Sequence, residues 1–180
     1  MKNLLHSLRT VCLAVFILSP LSVWAADFDR FVGNYEGSAD VVIGDEAKPR
    51  DIKTLIEADG DGFTLRWTSV IYRNDGDVAE KVFMVDFDPS QRPSIYSSAM
   101  KSNLFGKQVP LDPLKGEPFV WARFEGDTFT VYSLYINTVG EYELQEYHRT
   151  LTEGGLNLLF RRVRNAVPEK EITAFIKRQD

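Results

Sequence analysis

FVWARFEGDTFTVYSLYINTVGEYELQEYHRTLTEGGLNLLFRRV, residues 119–163, decides the fold. Four runs in it, 119–124, 128–136, 141–151 and 156–163, alternate side chains with a period of two. That spacing sends successive residues to opposite faces of a strand. Between the runs stand Glu125-Gly126-Asp127, 137–140 and 152–155, each short and rich in turn-forming residues. Strands joined in order by such turns pair with their sequence neighbours, so the segment reads as an antiparallel meander. The same rhythm extends towards the N-terminus. Phe63, Leu65, Trp67, Ser69 and Ile71 share one side of 63–72, opposite Thr64, Arg66, Thr68, Val70 and Tyr72. Segments 31–43 (bent at Gly33 or Gly37), 50–58, 78–87 and 94–100 read as further strands, with turns at Asp59-Gly60-Asp61-Gly62 and Asn74-Asp75-Gly76.

Two segments depart from this rhythm. Residues 101–118 carry Pro110, Pro113, Pro118, Gly106 and Gly116 and show neither a strand nor a helix period. So long a loop in a compact domain suits a lid or a binding loop as well as plain surface. Residues 168–178 read as a C-terminal α-helix. Pro168 suits its first turn, Glu169 and Glu171 its positive end, Lys177 and Arg178 its negative end, and Ile172, Phe175 and Ile176 share a face.

The chain has 180 residues, 44% of them hydrophobic and 12% aromatic, with a formal net charge of -5 and a single cysteine. This is enough for one domain with its own core, and too apolar for a disordered chain. The acidic balance argues against nucleic acid, which requires a basic face. Lys2 and Arg9 followed by the apolar run 11–18 and Val23-Trp24-Ala25 have the layout of an export signal, 1–25, cleaved after Ala25. The run is too short to span a bilayer. The expected mature domain, 26–180, is therefore exported and not membrane-spanning, and periplasmic if the source is a Gram-negative bacterium. It contains no cysteine, because Cys12 leaves with the signal. It must be held by packing rather than disulfides.

About eight to ten antiparallel strands can close into a barrel or stack as a sandwich, and sequential hairpins favour the all-β, up-and-down barrel. A membrane barrel is disfavoured by Glu141, Glu143 and Gln145 on one strand face and by the charged C-terminus. Phe31-Val32-Gly33-Asn34-Tyr35, opening the first strand, resembles the start of the lipocalins and related calycins. Those proteins carry Gly-x-Trp there, with a basic residue from the last strand packed over it. Tyr35 stands in the tryptophan position, and the resemblance implies Arg161 or Arg162 as the basic partner. It also implies a calycin-like barrel with a helix on its wall.

A calycin-like cavity lined by aliphatic and aromatic groups with one or two arginines suits a small hydrophobic or amphiphilic ligand bearing a carboxylate, because a guanidinium grips a carboxylate through two hydrogen bonds. The candidate contacts are Arg66, Tyr72, Arg123, Tyr132, Tyr147, Arg149 and Arg161. The alternatives are a filled barrel serving as an interaction module of the cell envelope and, less favoured, a hydrolase or isomerase based on His148 with Glu146 beside it. No phosphate loop, serine elbow or zinc-binding motif occurs, and the turn at 59–62 lacks the ligand pattern of a calcium loop, so the sequence points to no cofactor, no metal and no catalytic residue.

Overall fold

A computed structural model describes residues 27–43, 46–72, 76–98, 101–102, 108–109 and 111–179. The expected signal at 1–25, Asn74 and Asp75 of the expected turn, and most of 99–110 lie outside the described residues. The strands are β1 (Gly33–Ile43), β2 (Glu46–Asp59), β3 (Gly62–Tyr72), β4 (Val78–Pro89), β5 (Ile95–Ser98), β6 (Lys101–Ser102), β7 (Gln108–Val109), β8 (Phe119–Glu125), β9 (Thr128–Ile136), β10 (Tyr142–Thr152), β11 (Gly155–Arg164) and β12 (Val167–Gln179). Ten of them close into one antiparallel barrel in the order β1-β12-β11-β10-β9-β8-β5-β4-β3-β2, and β6 pairs with β7 as a separate two-stranded ribbon. Apart from that ribbon, every strand pairs with its sequence neighbours and the ends meet, which is the up-and-down barrel expected from the meander. The architecture is compatible with a calycin-like shape. Closure removes free sheet edges.

The expected C-terminal helix is not formed. Residues 167–179 are β12, which pairs with β11 along most of its length and with β1 over Phe175–Gln179. Ile172, Ala174 and Ile176 point inward on a period of two, and the charges fitted to helix ends serve as cross-strand partners instead. Arg161 meets Glu171 at 3.0 Å and Arg162 meets Glu169 at 3.1 Å. The turn entering β12 hides itself in the sequence. Asn165 (φ 45°) and Ala166 (φ 64°) both take the left-handed conformation that a two-residue hairpin needs, in a place where Asn-Gly is the usual signal. β12 also needs close neighbours. A Cβ on Gly37 of β1 would lie 2.4 Å from the Phe175 carbonyl oxygen, and one on Gly155 of β11 would lie 2.1 Å from that of Ile176. Glycine at both sites lets the closing strand approach.

The lower half of the barrel is solid. A short 3-10 turn, Asp29–Phe31, crosses the base and inserts Phe28 and Phe31 among Phe63, Phe87, Tyr96, Phe124 and Phe129. Phe63 stacks on Phe87 at 4.9 Å and meets Phe28, Tyr96, Phe124 and Phe129 at its edges or faces. Such ring pairs add to the area they bury. Tyr35 is fully buried beside them, and its hydroxyl donates to the Phe31 carbonyl at 2.9 Å. The basic group packed over Tyr35 is Arg178 of β12, with its guanidinium 5.1 Å from the ring centre and Nη2 2.6 Å from the hydroxyl oxygen. Arg161 and Arg162 do not fill that role. The expected position was the last strand, and the last strand proved to be β12.

Candidate functional site

On four strands, β2, β4, β11 and β12, the inward face is apolar at the base and becomes cationic at the opposite end. On β2 it runs Ile56, Thr54, Ile52, Arg50; on β4, Phe87, Val85, Phe83, Lys81. On β11 it runs Leu156, Leu158, Phe160, Arg162, and on β12 Ile176, Ala174, Ile172, Lys170. These strand ends surround the mouth of a cavity of about 340 Å³. Its wall is formed by Trp67, Phe83, Leu158, Phe160 and Ile172, with Tyr147 beside them. The volume falls within the range of small-molecule sites. Arg50, Lys81, Arg149, Arg162 and Lys170 line it, and no carboxylate among the described residues does. For a chain with 26 acidic and 21 basic residues, this is a marked segregation of charge.

Arg149 lies deepest. It is 4% exposed, yet no carboxylate among the described residues is within ion-pair distance of its guanidinium. It rests between the rings of Trp67 (5.8 Å) and Phe129 (5.5 Å). Nη1 donates at 3.3 Å to the carbonyl of Tyr147 on its own strand, and Nε has no acceptor. Burial lowers its pKa to about 10, against a small opposing effect of Tyr147. Thr54, 1% exposed and also lining the cavity, has a hydroxyl without a hydrogen-bond partner. Thr54 is the cross-strand neighbour of Trp67, so the unmatched hydroxyl and the ring beneath Arg149 are adjacent. Buried polar groups without partners are rare, and an uncompensated buried cation is expensive. Two donors waiting at the floor of an apolar cavity are the chemical requirement for holding a small anion.

At the mouth, burial lowers the pKa of Lys170, and the positive charges of Arg50 and Arg162 lower it further. Tyr147 is kept protonated by burial, partly offset by Arg149 and Arg162. Its hydroxyl donates to Gln145, whose amide donates to Glu143, and Glu143 pairs with Arg164 at 2.8 Å. Burial of the Glu143 carboxyl works against ionisation. The hydrogen bonds from Arg164 and Gln145 and the two nearby arginines outweigh it, so the pKa is lowered. Glu143 and Glu169 are thus engaged with Arg164 and Arg162, outside the cavity lining.

Of the seven ligand contacts expected from sequence, only Tyr147 and Arg149 line this cavity, and His148 between them also borders it. Arg66 lies on the outer face against the Met84 sulfur, and Tyr72 is exposed with its hydroxyl on Asp51. Arg123 pairs with Glu125 outside, Tyr132 stacks on Trp121 at 4.8 Å, and Arg161 pairs with Glu171 outside. His148 holds Thr130 through Nδ1 at 2.9 Å and Glu146 through Nε2 at 3.3 Å, so both ring nitrogens are already engaged. Arg50, Lys81, Arg162, Lys170 and Thr54 were not among the expected contacts. Their signal was a cation, or an isolated hydroxyl, on the otherwise apolar parity of its strand.

No group of three or more His, Cys, Asp or Glu side chains able to hold a metal occurs among the described residues. No helix among them is long and apolar enough to cross a membrane. The sequence matches no known family and no curated protein.

Proposed function

We propose that this protein is an exported, calycin-like binding protein for a small hydrophobic or amphiphilic molecule bearing a carboxylate. The observation that carries the reading is Arg149, a buried guanidinium in an apolar cavity with no carboxylate partner among the described residues. A bound carboxylate accepts from its free donors and from the Thr54 hydroxyl, and cancels the buried charge. In a site of low dielectric such charge-assisted hydrogen bonds are strong. The aromatic and aliphatic wall accommodates the rest of the ligand, and each buried methylene contributes about 0.8 kcal/mol. Export is supported by Lys2, Arg9, the apolar run 11–18 and Val23-Trp24-Ala25. The calycin likeness is supported by the up-and-down closure and by Gly33, Tyr35 and Arg178 at the base.

The test is a titration of the purified protein with an environment-sensitive fatty-acid probe. One-to-one uptake at micromolar protein, reversed by unlabelled dodecanoate, is the expected result. Probe fluorescence that stays unchanged at that concentration removes the binding function.

A further inference from the structure

One carboxylate at the floor accounts for Arg149 and leaves the mouth of the cavity unexplained. Arg50, Lys81, Arg162 and Lys170 come from four different strands, each at the mouth end of an inward face. Arg162 is paired with Glu169. Arg50, Lys81 and Lys170 have no carboxylate within ion-pair distance among the described residues, and the Arg50 Nε is buried without an acceptor. Like charges gathered in this way repel one another, and a solvated outer surface would have kept them apart.

Between the two cationic levels lies an apolar band of Ile52, Phe83, Leu158, Phe160 and Ile172. Arg149 is the cross-strand partner of Leu158, and Arg162 is that of Gln145. The two arginines are therefore four positions apart along β10, which is about 13 Å at the usual rise of a strand. From this juxtaposition we infer that the natural ligand is doubly anionic, with one acidic group on Arg149 and Thr54, a second among Arg50, Lys170 and Arg162, and an apolar body between them. The inference rests on the binding function proposed above and narrows its ligand class. If the mouth only steered a single anion inward, it would raise the association rate without rewarding a second charge on the ligand.

The experiment is calorimetric titration of the purified protein at physiological salt with dodecanedioate, its monomethyl ester and dodecanoate. Dodecanedioate is expected to bind at least about tenfold more tightly than either monoanion, a difference of ~1.4 kcal/mol. In the variant carrying Arg50→Gln and Lys170→Gln that advantage should shrink to less than about threefold. The ester removes the second charge from the ligand instead of the protein, so the comparison survives even if the variant misfolds. Dodecanoate binding as tightly as dodecanedioate overturns the doubly anionic ligand and leaves the carboxylate-binding function standing. Binding of none of the three acids overturns both.

Discussion

Two arginines, one at each level of the same barrel, are used in opposite ways. Arg178 at the base packs over Tyr35, donates to its hydroxyl at 2.6 Å and reaches the Arg30 carbonyl at 3.2 Å. Arg149, halfway up the axis, also lies against aromatic rings, yet its one hydrogen bond is a long contact to its own strand. The base is a satisfied, close-packed plug. The upper half is an apolar cup in which the Thr54 hydroxyl and the Nε atoms of Arg149 and Arg50 lack partners among the described residues. Interiors normally avoid unmatched polar groups, and departures cluster where a protein keeps stability in reserve for function. The contrast separates the half that holds the fold from the half proposed to bind a ligand.

The largest effect belongs to the base. Phe63→Ala removes a ring that touches five others, and should lower the unfolding free energy by about 3–5 kcal/mol in urea titrations. A loss near zero would mean that the plug is not the source of stability. In the upper half the sign reverses. Arg149→Met replaces an unpaired buried cation by an apolar chain, and should raise stability by ~1–3 kcal/mol. The pH dependence follows from the lowered pKa. From about pH 10 up to the ordinary arginine range the unfolded chain holds this proton more tightly than the folded one. The burden of Arg149 is therefore complete below about pH 10 and fades above it. The advantage of Arg149→Met, followed by urea unfolding across that range, should narrow as the pH rises.

Two smaller changes sharpen the contrast. Arg178→Met strips the Tyr35 hydroxyl of its charged donor and should cost about 1–2 kcal/mol, with fatty-acid affinity held within about twofold. Ala166→Gly relieves a left-handed alanine at the turn into β12 and should raise the midpoint of urea unfolding, gaining ~1 kcal/mol. No gain there would argue against the hairpin that makes the C-terminal segment a strand. Smallest of all, Arg161→Gln breaks an exposed ion pair on the outer wall and should shift stability by less than about 1 kcal/mol and leave probe affinity unchanged.

The barrel was legible because alternation and turn chemistry are local properties. The runs between 119 and 163 became β8 to β11 with their ends moved by a residue or so, and Gly126 (φ 58°) and Gly154 (φ 76°) sit at the turns as expected. β12 was misread for a physical reason. Glu169, Glu171 and Arg178 satisfy the electrostatics of a helix as well as those of a strand, and their actual partners, Arg162, Arg161 and Tyr35, lie on the strands to either side of β12. The turn residue that would have exposed the hairpin is alanine instead of glycine.

The site was half legible. Tyr147 and Arg149 were named, but alternation only sorts a strand into two faces, and which face is inward depends on the whole ring. For β3 the purely apolar side already held the answer. It placed Phe63, Leu65 and Trp67 inside and so put Arg66 and Tyr72 outside. The cations at the mouth ends of the inward faces became meaningful only once closure brought four strand termini to one rim.

Under the proposed function, Arg149 holds the acidic group of the ligand. The most direct test is dodecanoate affinity measured by probe displacement in the wild-type protein and in Arg149→Met. A loss of at least about tenfold, or ~1.4 kcal/mol, is expected in a variant that is more stable than the parent. Equal affinity in the two proteins would contradict it.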